Sequence, residues 1–230
     1  MLEDIGQDIW IQRHPLGMLG CQMGRVVTLV RLRSGQVVIH STANFGSADI
    51  AEIRELGEPG WLFEATRFHD TCAVQGRAAF PDIPYLVPQG FKARSVANLT
   101  PIETTPAEWR DEIELIQLAG MPSIRESALF HRPSKTLVVA DLMFNLPPET
   151  SRWTQLFLRA TGGISKYPGM SRLFRFMVKD RQAFQESMAE IAALDFETIV
   201  VAHGDPITSD AKEKLLALLD QHRLDPASVR

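Results

Sequence analysis

The stretch TLVVAD at residues 136–141 and its near-copy TIVVAHGD at residues 198–205 decide the reading of this chain. Each is a short aliphatic, β-branched run that stops on Asp or His. A continuous apolar run of this length reads as a strand buried on both faces. WLFEAT at 61–66 repeats the pattern and is followed by Arg67, Phe68, His69 and Asp70. Side chains just past strand ends can converge at one sheet edge, where loops build clefts. His and Asp are ligand types for zinc or iron, and a catalytic ion keeps one position open for water. After a strand the same residue types also serve as turn formers and N-caps.

Working outward, Val26–Leu32 and Gln36–His40 form a hairpin around Ser34-Gly35, and Ser127–His131 and Thr136–Ala140 form another around Pro133. Ala48–Leu56 reads as a helix stopped by Gly57, with Ile50 and Ile53 on one face. Further strands are expected at Tyr85–Val87 and Ile113–Leu118, and Thr105-Pro106-Ala107-Glu108 has the form of a capping box. Residues 151–194 read as helical. Trp153, Leu156, Phe157 and Ala160 share one face there, and Phe184, Met188, Ile191 and Ala192 share another. A last helix, Asp210–Asp220, is expected behind Ser209 as N-cap, with Leu215, Leu216 and Leu219 inward. Hairpins come first and helices late, as in a β-rich sandwich covered by helices.

The chain has 230 residues, 45% of them hydrophobic and 23% charged, with 24 Lys+Arg against 28 Asp+Glu. This composition fits one continuous domain over residues 1–230 and excludes a disordered chain. The net charge of −4 argues against a broad basic face for nucleic acid. No apolar run is long enough to span a bilayer, and the acidic start MLEDIGQDIW has no apolar leader core, so a cytoplasmic protein is expected. Cys21 and Cys72 form no CxxC pair and read as reduced thiols. GxSxG, P-loop and GxGxxG motifs are absent, which removes three common routes to nucleophilic or nucleotide chemistry.

The segments FHRPSKTLVVADLMFN (130–145) and ALDFETIVVAHGDPI (193–207), with RFHD (67–70), GRAAFPDIPYLVP (76–88) and VVTLVRLRSGQVVIHS (26–41), resemble the metallo-β-lactamase-like superfamily. The resemblance spans nearly the whole chain in the expected order. It implies an α/β (α+β) fold, a four-layer αββα sandwich, with an active site along one edge of the two sheets. Asp141 matches the bridging aspartate and His203 the histidine of the terminal HG motif. The HxHxDH motif is reduced to His69 and Asp70. Ser41 stands where an aspartate closes the opening hairpin, and the loop Gly120–Arg125 lacks the expected histidine. The ligand set implied for one zinc or iron ion is therefore His69, Asp141 and His203, with Asp70 or Asp205 as a further ligand or as the base that orients water.

Two function classes follow. One is a metal-dependent hydrolase of an ester, thioester or phosphoester. The other is a metal-free descendant that binds a small anionic ligand or partner in the same cleft. A scaffold that dimerises is a third. Residues 151–181 form a basic, aromatic-rich helical insert, carrying Arg152, Arg159, Lys166, Arg172, Arg175, Lys179 and Arg181 against Asp180 alone. Arg172 and Arg175 are its candidate ligand-binding residues, and a solvated helix face with aromatics turned inward is the simpler account. Among the other histidines, His131 fits a hairpin turn, His40 lies near the expected cleft, and His14 and His222 fit surface positions.

Overall fold

The structure, a computed structural model, describes residues 1–93 and 95–226. The strands are β1 (Leu2–Gly6), β2 (Ile9–His14), β3 (Gly17–Met18), β4 (Cys21–Gln22), β5 (Arg25–Arg31), β6 (Gln36–His40), β7 (Glu58–Phe63), β8 (Tyr85–Pro88), β9 (Leu99–Ile102), β10 (Ile113–Gln117), β11 (Ser127–His131), β12 (Thr136–Val139) and β13 (Thr198–Val201). The helices are α1 (Ser47–Leu56), α2 (Ala73–Ala79), α3 (Arg152–Phe157), α4 (Arg172–Met177), α5 (Arg181–Ala193) and α6 (Ala211–Gln221). A seven-stranded sheet runs in the order β1-β2-β5-β6-β7-β8-β9, and a four-stranded sheet runs β10-β11-β12-β13. Among the described residues, no helix is long and apolar enough to cross a membrane.

Strand parity builds the layers. In β12, Leu137 and Val139 join the cluster that holds Phe184, Met188 and Leu215, whereas Val138 joins the one that holds Ile9, Phe63 and Trp109. In β13, Ile199 and Val201 go with the first cluster and Val200 with the second. In β5, Val26 and Val30 join the same central cluster, while Val27 and Leu29 face Ile53, Ala73 and Phe80. Successive side chains on a strand point to opposite faces, so each sheet has one face on the shared core and one under helices. The result is the four-layer αββα sandwich.

Several local expectations change. The chain opens with a hairpin of β1 and β2 ahead of the one read from sequence, turning at Asp8, which adopts φ 57°. Strand β7 begins at Glu58 rather than Trp61, because Pro59 and Gly60 are absorbed at a bulge opposite Val37 and Val38. Strand β9 contains Pro101, which is tolerated on an edge strand. No capping box forms at Thr105. Its Oγ1 instead accepts from the Leu115 amide at 2.9 Å, and Ala107–Trp109 makes only a 3-10 turn. Helix α6 is preceded by Asp210 in a left-handed conformation, not capped by Ser209.

The helical region is broken between the π-turn Leu158–Gly162 and α4. Trp153 and Leu156 are more than half exposed, since α3 packs only one side against the β3–β4 ribbon. The faces of α5 and α6 are buried as expected at Phe184, Met188, Ile191, Leu215 and Leu219.

Candidate metal centre

Strands β6, β7 and β8 run parallel, as do β12 and β13, and the three motif-bearing strands β7, β12 and β13 end at one edge of the sandwich. Backbone bonds lock the sheets together there. Val26 N donates to Ala202 O at 2.9 Å, Ser127 N to Ala65 O at 2.8 Å and Arg67 N to Ile124 O at 2.9 Å. One ligand atom from each of His69, Asp141 and His203 lies within 4.8 Å of the others.

Each member is aimed by a neighbour. His203 Nδ1 lies 2.7 Å from the Gly24 carbonyl. A carbonyl only accepts, so Nδ1 carries the proton and Nε2 keeps its lone pair. Phe144 stacks on the His203 ring at 5.2 Å with planes 12° apart. His69 Nδ1 lies 3.3 Å from Ser41 Oγ, and its buried Nε2 has no hydrogen-bond partner among the described residues. Nε2 stands 3.6 Å from Asp141 Oδ1, beyond hydrogen-bond distance. The serine hydroxyl both donates and accepts, so it accommodates either His69 tautomer, including the one that leaves Nε2 free for a cation.

Asp141 is placed by a residue that sequence reasoning missed. The carboxylate of Glu126, fully buried, accepts from the amides of Ala140, Asp141 and Leu142 at 2.8, 3.0 and 3.2 Å. These bonds fix the turn that leaves β12. Burial, then the neighbouring Asp141, pushes the Glu126 carboxyl up to about 8 against those three amides. Burial also raises the Asp141 carboxyl, but His69, His203 and Arg25 outweigh it and the net shift is downward. Burial, then the neighbouring His69, pushes His203 down to about 4. A neutral His203 imidazole beside an ionised carboxylate is the donor state a cation needs.

Gly204 explains the HG pair. Its φ is 118°, and a Cβ there would collide with the carbonyl of Asn145. The tight approach lets Asn145 N donate to His203 O at 3.1 Å and Asp205 N to Asn145 O at 2.8 Å, which pins the turn that presents His203. Gly204→Ala is expected to cost about 3 kcal/mol, measured by urea denaturation. An unchanged midpoint would show that the turn does not need this approach.

A cavity of about 310 Å³ opens over the cluster, lined by Arg25, His69, Asp141 and His203 with Phe144, Leu173 and other apolar side chains. The other candidate residues lie elsewhere. Asp70, expected as ligand or base, is exposed, and its carbonyl accepts from Ala73 N at 3.2 Å where α2 begins. Asp205 pairs with Arg13 at 3.0 Å. Neither lines the cavity. Arg172 crosses over Gly163, and Arg175 Nη1 meets His222 Nδ1 at 3.3 Å, so the turn of α4 facing the cavity is made by Leu173, Phe174 and Met177. The only visible signal for Glu126 was an acid opening an apolar hairpin strand, and for Arg25 a cation opening another.

Two buried histidines outside the ligand set carry a pH dependence. Burial pushes His40 down to about 3, with His69 and Arg25 adding to the shift, and pushes His131 down to about 4. His131 is held by Ser134 at 2.8 Å. Both are neutral when folded and protonate on unfolding below pH ~6.5. Their stability contribution is complete above that pH and is lost as pH falls toward the folded values. Lowering pH from 7 to 5 is expected to cost about 2 kcal/mol per histidine, read from urea midpoints. His131→Asn should flatten the profile by one such step; a profile unchanged by it would contradict the assignment.

Solved structures share this architecture. The DIM-1 metallo-beta-lactamase is 12% identical, with a TM-score of 0.65 over 96% of this chain and 97% of that one. VMB-1 is 10% identical, with a TM-score of 0.65 over 97% of each chain. A metallo-beta-lactamase from Erythrobacter litoralis is 13% identical, with a TM-score of 0.63 over 96% of this chain and 92% of that one. No protein-family model matches the sequence and no curated protein matches it. The fold is that of the metallo-β-lactamases, and within it this chain carries a His-Asp-His cluster at the sheet edge.

Proposed function

We propose that the chain is a metal-dependent hydrolase with a mononuclear site held by His69, Asp141 and His203. The observation that carries this reading is the convergence of those three donors within 4.8 Å. The orphaned His69 Nε2 supports it, because a buried nitrogen without a partner is costly unless something binds it. Two imidazoles and one carboxylate suit zinc or ferrous iron. Such an ion, when bound, supplies Lewis acidity and a nucleophile derived from water at neutral pH. The chain's own part is to fix the donors. Gly24 sets the His203 tautomer, Ser41 steadies His69, and Glu126 holds the turn of Asp141. The apolar wall of the cavity keeps water away from the substrate.

The test is a substrate panel on stripped protein reloaded with zinc or ferrous iron. It comprises p-nitrophenyl esters, an acyl thioester, bis-p-nitrophenyl phosphate and a chromogenic β-lactam. Metal-dependent turnover of at least one member, absent in Asp141→Asn, is the expected result. Turnover that survives Asp141→Asn, or none above the metal-free protein, would overturn the reading.

A further inference from the structure

Arg25 opens β5 and is 2% exposed, yet it makes no ion pair among the described residues. Its Nη1 donates to Ser41 Oγ at 2.9 Å, and its buried Nε has no hydrogen-bond partner among the described residues. Taking a guanidinium out of water is expensive unless something compensates it. Asp141 acts on it through space, and the Cys72 thiol, a weak acceptor, is its other side-chain neighbour. Glu64 spends its Oε1 on the Thr42 amide at 2.9 Å and the Tyr85 hydroxyl at 3.0 Å. Arg25 also lines the cavity over the metal centre.

Ser41, the bridge between Arg25 and His69, sits at φ 71°, a region that residues other than glycine seldom adopt. Strained backbone at a cleft is characteristic of a functional constraint. The rest of the cavity is different in character. Phe68, Ile124, Phe144, Leu173, Phe174 and Met177 form an apolar wall, and among the described residues Arg25 is the only fixed positive charge in the lining. A pocket with one polar end and one greasy side selects an amphiphile.

We propose that Arg25 is the recognition residue for an amphiphilic anion, with a carboxylate or phosphate head against its guanidinium and a short apolar chain along the Phe144–Leu173 wall. As a statement of substrate class this rests on the hydrolase reading; as a binding site it needs no metal. Arginine presents a planar donor fork that matches both head groups, which lysine lacks.

Calorimetric titration of the metal-stripped protein with hexanoate, hexyl phosphate and neutral 1-hexanol tests it. At least one anion should bind, and hexanol should bind more weakly by about tenfold or more. The tighter of the two anions identifies the head group. Arg25→Met should weaken the anion by about 10–100-fold, and Arg25→Lys by less. Leu173→Ser alters an exposed side chain and keeps the fold testable if Arg25→Met does not fold; it should weaken hexanoate or hexyl phosphate and leave the hexanol discrimination intact.

Anions that fail to bind, anions that bind no better than hexanol, or arginine variants that bind like the parent would overturn the proposal. Metal uptake without anion binding removes this inference and leaves the hydrolase standing. Anion binding by a protein that takes up no metal does the reverse.

Discussion

Asp141→Asn is expected to abolish metal-dependent hydrolysis and to weaken zinc binding by more than about 100-fold. Residues that merely orient a ligand are worth about 10–100-fold in affinity, and Asp141 is the only carboxylate in the cluster. The substitution removes the negative charge that offsets the cation and leaves two imidazoles, too few donors to hold zinc tightly. The fold should survive, because Glu126 accepts from the Asp141 backbone amide rather than from its side chain. Competition against a zinc-binding dye reads the affinity, and circular dichroism checks the fold. Zinc affinity unchanged in a folded variant would mean that the ion is held elsewhere.

Glu126→Ala carries the largest expected stability effect. It strips partners from the amides of Ala140, Asp141 and Leu142 at once, at the end of a strand with no exposed face. A buried amide left unpaired costs about 1–3 kcal/mol, so a loss of about 3–5 kcal/mol is expected after partial rescue by water. Glu126→Gln retains an acceptor oxygen and should lose less. It also removes the carboxyl whose ionisation competes with that of Asp141. Urea unfolding separates the two variants. Equal stability of Glu126→Ala and the parent would show that the Asp141 turn is held by packing alone.

The parts of this site legible in the sequence are those set by short-range pattern. TLVVAD and TIVVAHGD are recognisable because parallel strands buried on both faces must be continuously apolar, so the first polar residue after each one stands out. The residues that orient the ligands follow no such pattern. Arg25 meets Ser41 across 16 positions, Glu126 reaches its amides only after the hairpin closes, and the Gly24 carbonyl reaches His203 across 179 positions. Such pairings are products of the sandwich. Asp70 and Asp205 looked equivalent to their histidine neighbours in the chain, yet one is exposed at the start of α2 and the other is drawn to Arg13. Trp153, Leu156 and Ala160 followed helical spacing, but spacing does not reveal whether anything lies opposite, and here all three are exposed.

The central claim, that His69, Asp141 and His203 jointly hold an ion, is tested most directly by anomalous diffraction at the zinc edge from zinc-soaked crystals. The account predicts one strong peak at about 2.0–2.2 Å from His69 Nε2, His203 Nε2 and an Asp141 carboxylate oxygen. A saturated soak with no peak there, or with its main peak on other residues, would contradict it.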